Sequence, residues 1–187
     1  LTFPARDGLK LITIILFEST GIRARKGDCH ASKEKNMDNE GTCMIIPVSK
    51  RHEEAWAELC AALWPETAKE ELLRERALGN LPHEYLYLVD GGAIAFMSLS
   101  LRRDYVEGTE SSPVAYLEGI YVKPEHRGKG IARELVEFAK EWALKNGCSE
   151  LASDCELENK ESELFHKKVG FQEANRIICF TMPLKNK

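Results

Sequence analysis

Between Tyr121 and Ala132 the chain reads Tyr-Val-Lys-Pro-Glu-His-Arg-Gly-Lys-Gly-Ile-Ala, glycine-rich and cationic, with an apolar run before it and a helical pattern after it. Glycines at a strand-to-helix junction leave backbone N–H groups pointing outward, and the dipole of the following helix favours an anion there. Gly128 and Gly130 allow close approach of the backbone, Arg127 and Lys129 add positive charge, and Ala132 keeps the start of the helix slim. A phosphate or diphosphate is therefore expected on Arg127, Gly128, Lys129, Gly130, Ile131 and Ala132. The loop is not a Walker A motif, because Lys129 is followed by Gly130 and offers no hydroxyl for magnesium. Nor is it a full dinucleotide fingerprint, since Arg133 stands where a third glycine belongs.

The surrounding pattern must position that loop. Met44–Val48 reads as a short strand, and His52–Leu63 as a helix with Ala55, Trp56, Leu59, Ala62 and Leu63 at helical spacing and Ser49 available as its N-cap. Trp64-Pro65 ends that helix. A second helix over about 67–78 stops at Gly79-Asn80. Glu84–Val89 and Ala93–Leu101 form a hairpin across Asp90-Gly91-Gly92. A long polar loop, Arg102–Pro113, leads to the strand Ala115–Val122. After the glycine loop a helix runs to about Asn146, where Gly147 closes it. Glu150–Ser153 reads as a strand and Ser162–Val169 as a helix. Phe171–Arg176 and Ile177–Met182 read as a final pair of strands.

The 187 residues suit one domain plus a spare segment, and 43% hydrophobic with 30% charged residues suits a globular protein. Residues 1–43 lack a sustained period and hold one apolar run, Leu11 to Phe17, too short to span a membrane. They are expected to be a non-native or disordered extension, with the working domain over 44–187. A net charge of −4 disfavours a sequence-independent nucleic-acid binder and leans toward a cationic small molecule. Six scattered cysteines, without C-x-x-C or zinc spacing, read as reduced thiols in a cytoplasmic protein that holds no metal.

Arg127, Gly130 and Ala132 form the pattern Arg-x-x-Gly-x-Ala, which resembles the diphosphate loop of the GCN5-related N-acetyltransferases (GNAT). The element order over 44–187 is similar to theirs throughout. The resemblance implies an α/β (α+β) GNAT fold: a mixed, mostly antiparallel sheet with a central V-shaped splay, flanked by helices. It also implies acetyl-CoA as acetyl donor, its diphosphate on Arg127–Ala132 and its pantetheine beside the strand ending at Val122. Arg103-Asp-Tyr-Val, Ser111-Ser-Pro-Val, Leu117-Glu-Gly-Ile120, Ala152-Ser-Asp154, Glu158-Asn159, His166 and Gly170-Phe171 narrow the likeness. Together they resemble the aminoglycoside 6'-N-acetyltransferases. That implies an aminoglycoside substrate, antibiotic resistance and a homodimer joined through edge strands, while the charge balance and the short apolar run speak against a nucleic-acid or membrane partner. Other amines (a polyamine, a small metabolite or a protein lysine) keep the same chemistry, and a CoA-binding module without turnover keeps only the loop.

Within that resemblance each residue has an expected role. A protonated amine has no lone pair with which to attack a thioester, so a base or a water chain is needed, and Glu118 is the candidate. The backbone N–H of Ile120 would stabilise the oxyanion, with Gly119 suited to a bulge that frees it. His166 stands where many relatives have a tyrosine acid, and is assigned to the departing thiolate and to the cofactor; a structural histidine is the alternative. Asn159 would hold pantetheine amides or simply cap the next helix. Asp154, Asp104 and Glu118 would hold substrate ammonium groups, and Tyr105 and Trp64 would stack on sugar faces or pack in the core.

Overall fold

The computed structural model describes residues 42–79 and 81–184. Five strands form one sheet in the order β1-β2-β3-β4-β5: β1 (Cys43–Pro47), β2 (His83–Val89), β3 (Gly92–Arg102), β4 (Val114–Val122) and β5 (Leu151–Ala152). The first three pairings are antiparallel and β4–β5 is parallel. A 3-10 turn, Lys50–His52, precedes α1 (Glu53–Leu63); α2 (Lys69–Ala77), α3 (Ile131–Lys145) and α4 (Lys160–Val169) follow. Among the described residues no helix is long and apolar enough to cross a membrane.

Two apolar layers sandwich the sheet. On one face Trp56, Leu59, Leu63 and Leu72 of α1 and α2 pack on Leu86, Phe96 and Tyr121. On the other, Leu135, Ala139 and Trp142 of α3, with Phe165 of α4, cover Met97, Leu117, Ile120 and Val122. Each fully buried side chain of this size contributes roughly 1.5–3 kcal/mol, which is why α3 lies so firmly along β4. A small third cluster of Val106, Val114 and Tyr116 seats the long loop on the end of β4.

Three expectations need correction. Residues 171–184 form neither helix nor strand and are exposed apart from half-buried Phe171, so the expected final strands Phe171–Arg176 and Ile177–Met182 are absent. Alternating or β-branched residues make a strand only where a partner edge accepts their backbone bonds, and here none lies alongside. Ser49 does not cap α1: His52 holds the N-cap position, and the Ser49 hydroxyl bonds its Nδ1 at 3.0 Å. Arg102 is the last residue of β3 rather than the first of the loop, and pairs with Val114. β1 begins at Cys43, opposite Val89, and Thr42 exchanges bonds with Asp90. The reading of the earlier residues lies outside the described ones.

The strands part between β4 and β5, at the edge of the described sheet and not at its centre, because no strand lies beyond β5 among the described residues. β5 meets β4 only at Ala115↔Leu151 and Tyr116↔Ala152, and the rest of β4 runs on without it. A bulge adds to the divergence. Ser98 faces Gly119 and Leu99 faces Leu117, which leaves Glu118 as the extra residue.

Candidate active site

The glycine loop has the geometry of an anion cradle. Pro124–His126 makes one 3-10 turn, and Gly128 (φ +74°) and Gly130 (φ +88°) then take left-handed conformations that admit glycine at little cost. A Cβ built on either would meet nothing within 4 Å, so the backbone surface there is open. Gly130 is the N-cap of α3 and supplies no side-chain cap. The first helical bond of this turn is Glu134 N–H to the Gly130 carbonyl, so the N–H groups ahead of it have no acceptor within the helix. Arg127 is braced: its Nε donates to the Val122 carbonyl at 2.9 Å, and its guanidinium lies 5.6 Å from the Tyr121 ring. Diphosphate suits this cradle in charge, in donor supply and in the space that the missing Cβ atoms leave.

Ile120 follows from the strand's alternation. Lys123 N–H bonds back to Ile94 of β3, while the Val122 carbonyl points away from β3 and is taken by Arg127. Two residues earlier, Ile120 has the same outward orientation as Val122, so its backbone polar groups face the splay beyond the end of β5. Its side chain is buried on the α3 face.

Glu118 lies on the other face, beside Tyr116. Its side chain is 8% exposed. Oε1 accepts from Arg102 Nε at 3.2 Å and Nη2 at 3.0 Å, and Oε2 from Nη2 at 2.8 Å; the Ser100 hydroxyl also donates to Oε1. The Arg102 guanidinium stacks 3.2 Å over the Tyr116 ring, and the Tyr116 hydroxyl donates to Asp154. Burial and the Asp154 carboxylate drive the Tyr116 phenol well above its ordinary range, which leaves it a permanent donor to Asp154. Glu118 and Asp154 thus belong to one network, joined through Arg102 and Tyr116.

Asp154 and His166 line a cleft of about 680 Å³ with Arg102, Tyr105, Tyr116, Ser153 and the segment 171–178. His166 is buried. Its Nδ1 lies 2.7 Å from the Ser162 carbonyl, which can only accept, so Nδ1 carries the proton. Nε2 is 3.0 Å from the Ser153 hydroxyl, which is also 3.0 Å from the Leu117 carbonyl. Burial pulls the imidazole below its usual pKa, against the opposing pull of the Ser162 carbonyl and the Asp154 carboxylate. With Nδ1–H given to the Ser162 carbonyl, a neutral ring offers Nε2 only as an acceptor, and the single Ser153 proton serves either Nε2 or the Leu117 carbonyl, so His166 is not a free acid.

Other expected residues fall apart from this centre or do a second job. Asn159 caps α4, its Oδ1 accepting from Ser162 N–H at 3.0 Å. Asp104 is exposed on the loop, and Tyr105 is 81% exposed with its hydroxyl turned to Glu107. Trp64 packs edge-on to Phe96 and against Gly119, and its Nε1 is buried without a partner among the described residues. No group of three or more His, Cys, Asp or Glu that could hold a metal occurs among the described residues. Sequence reasoning missed Arg102, Ser100, Tyr116 and Ser153. The Ser100-x-Arg102 and Tyr116-x-Glu118 alternations put each pair on one strand face, and that was the available signal.

Comparison with known proteins agrees with this geometry. The acetyltransferase (GNAT) family profile matches residues 50–171. Aminoglycoside N(6')-acetyltransferase type 1 of Serratia marcescens is 40% identical over 145 residues, covering 75% of this chain and 99% of the relative. The protein of the same description from Acinetobacter baumannii is 40% identical over 139 residues, 73% of this chain and 95% of the relative. Aminoglycoside N-acetyltransferase AAC(6')-Iy in complex with CoA superposes with a TM-score of 0.74 at 34% identity, over 78% of this chain and 98% of that one. The same enzyme in complex with the bisubstrate analogue CoA-S-monomethyl-acetylneamine gives 0.72 at 35%, over 76% and 99%. With an open diphosphate cradle, a splayed β4 and this likeness along the whole of its relatives, the chain belongs to the GNAT family of acetyltransferases.

Proposed function

We propose that the chain transfers an acetyl group from acetyl-CoA to the 6'-amine of aminoglycoside antibiotics, and so confers resistance. One observation carries the reading: the uncapped N-terminus of α3, with its two open glycines, adjoins the splay of β4, and β4 carries Glu118 into a network with the cleft residue Asp154. The activity of the relatives and the analogue bound to AAC(6')-Iy support the same acceptor.

When bound, acetyl-CoA supplies a thioester-activated acetyl group. The chain's own groups do the rest. Arg127 and the backbone N–H groups of 128–132 hold the diphosphate, and β4 up to Val122 offers a rail for pantetheine. The Ile120 N–H donates to the acyl oxygen as charge grows there. Asp154 and Glu118 take ammonium groups by charge-assisted hydrogen bonds. Oε2 of Glu118 carries the lone pair with the least competition, so it orients the reacting ammonium or the water that removes its proton. As the nitrogen–carbon bond forms and the carbon–sulfur bond breaks, the ammonium gives up two protons: one ends on the thiol and one reaches solvent. His166 holds Ser153 at the open edge of the splay, and Asn159 braces α4 behind it. Trp64 takes the packing role: its ring fills the space between Gly119 and Phe96 and braces β4 behind the site. Tyr105, which lines the cleft, and Asp104 beside it on the exposed loop offer further contacts to the sugar.

The proposal includes a homodimer in the cytoplasm. Ile177, Ile178, Phe180, Met182 and Leu184 are 62–88% exposed on the segment 171–184, a patch of the kind that marks a protein interface. An edge strand of a second copy suits it. Sedimentation should report a dimer that Phe180→Asp dissociates.

Thiol release from acetyl-CoA, measured with kanamycin, with an aminoglycoside carrying a 6'-hydroxyl, and with spermidine, tests the acceptor. Release with kanamycin and none with the 6'-hydroxyl compound is expected; release with spermidine alone would replace the aminoglycoside by another amine.

A further inference from the structure

Arg102 has no place in the chemistry just described, yet it contacts both halves of the acidic site. Its guanidinium forks onto Glu118 at 2.8–3.2 Å and stacks on Tyr116, whose hydroxyl holds Asp154. Its side chain is 35% exposed and lines the cleft, while that of Glu118 is nearly closed off from solvent. We propose that Arg102 is a positioning residue that fixes Glu118 in one rotamer and, as a resident cation on the cleft floor, keeps ground-state binding of a polycationic substrate weak. The inference rests on the aminoglycoside reading of this site.

Two physical consequences follow from the geometry. A planar fork binds both carboxylate oxygens and leaves Glu118 one direction in which to reach, whereas an ammonium is a point charge that fixes neither rotamer nor plane. A guanidinium in the cleft also repels each ammonium of an incoming polycation and competes with it for the same carboxylate. The first effect favours the transition state and the second disfavours the ground state, a division that raises turnover rather than affinity.

The experiment is steady-state kinetics of Arg102→Gln and Arg102→Lys on the full chain, with CoA binding by calorimetry as the check of folding. Arg102→Gln should lower kcat roughly tenfold or more through loss of orientation. It should also lower KM for kanamycin about threefold or more, most strongly at low salt, with KM for acetyl-CoA unchanged. Arg102→Lys should restore the higher KM for kanamycin while kcat stays low, because charge returns without the fork. An unchanged kcat in Arg102→Gln, or a KM for kanamycin that rises in it, would overturn the inference. Should Arg102→Gln fail to bind CoA, the Lys variant decides alone: wild-type kcat there overturns the role of the fork. Absence of kanamycin acetylation by the unmodified chain would instead overturn the aminoglycoside reading, so the two failures are distinct.

Discussion

Gly119→Ala should disturb the site through packing alone. Gly119 has no positive φ, so the substitution meets no backbone strain. A Cβ there would lie 2.7 Å from Cζ2 and 3.0 Å from Cη2 of Trp64, and 3.2 Å from Cδ2 of Leu63. An ordinary carbon contact is roughly 3.5–4.0 Å, so the indole must retreat by about 1 Å. It cannot do so freely, because its other side meets Phe96 with ring centroids 5.6 Å apart. Overpacking of this kind typically costs about 1–3 kcal/mol. The offending atoms belong to the six-membered ring, so Trp64→Phe in the same chain should relieve most of that cost. The assay is a double-mutant cycle on urea denaturation, run with KM for kanamycin. Gly119→Ala should be less destabilising in the Trp64→Phe background by about 1 kcal/mol or more. Additive effects, with no coupling between the two sites, would refute the claim that Gly119 is small because Trp64 occupies its space.

Gly130→Ala should place a side chain at φ +88° and over the open cradle, lowering stability by about 1–2 kcal/mol and weakening CoA binding by calorimetry, with the kanamycin KM little changed. Tyr116→Phe removes the donor to Asp154 but keeps the stack under Arg102; it should raise KM for the aminoglycoside more than it lowers Tm, by kinetics and thermal melts. His166 has a folded-state pKa below its unfolded value. Between those two values the unfolded chain binds the extra proton, so its contribution is present above the unfolded pKa and lost as pH falls through the window toward the folded one. The melting temperature should therefore fall more from pH 7.5 to 5.5 in the unmodified chain than in His166→Gln; equal slopes would remove the histidine from the account. Glu118→Gln should lower kcat roughly 100-fold, a loss typical of a positioned proton-handling group, while CoA still binds.

The sequence carried most of the fold because its local signals agreed with its packing. The Asp90-Gly91-Gly92 turn, the apolar stripe of α3 and the glycines at 128 and 130 each dictate local geometry, and the structure has the hairpin, the helix and the loop where those residues put them. What local signals cannot carry is partnership across the sheet. Glu118 reads as a candidate base with no partner until β3 is laid beside it and Arg102 closes on its carboxylate. His166 reads as an acid by position, but the Ser162 carbonyl and Ser153 hydroxyl that engage its nitrogens lie on the preceding turn of α4 and just past β5. Residues 171–182 have strand-like composition and no strand, because an edge strand is defined by its neighbour.

In the proposed reaction the turn at Arg127–Ala132 holds a diphosphate so that the acetyl group meets a sugar nitrogen gathered by Glu118 and Asp154. NMR of the product formed from acetyl-CoA and kanamycin tests it most directly, since it reports which nitrogen has been acylated. A single acetyl group on the 6'-nitrogen is the predicted result. Acetylation at another nitrogen, or none by folded protein that binds CoA, would contradict the account.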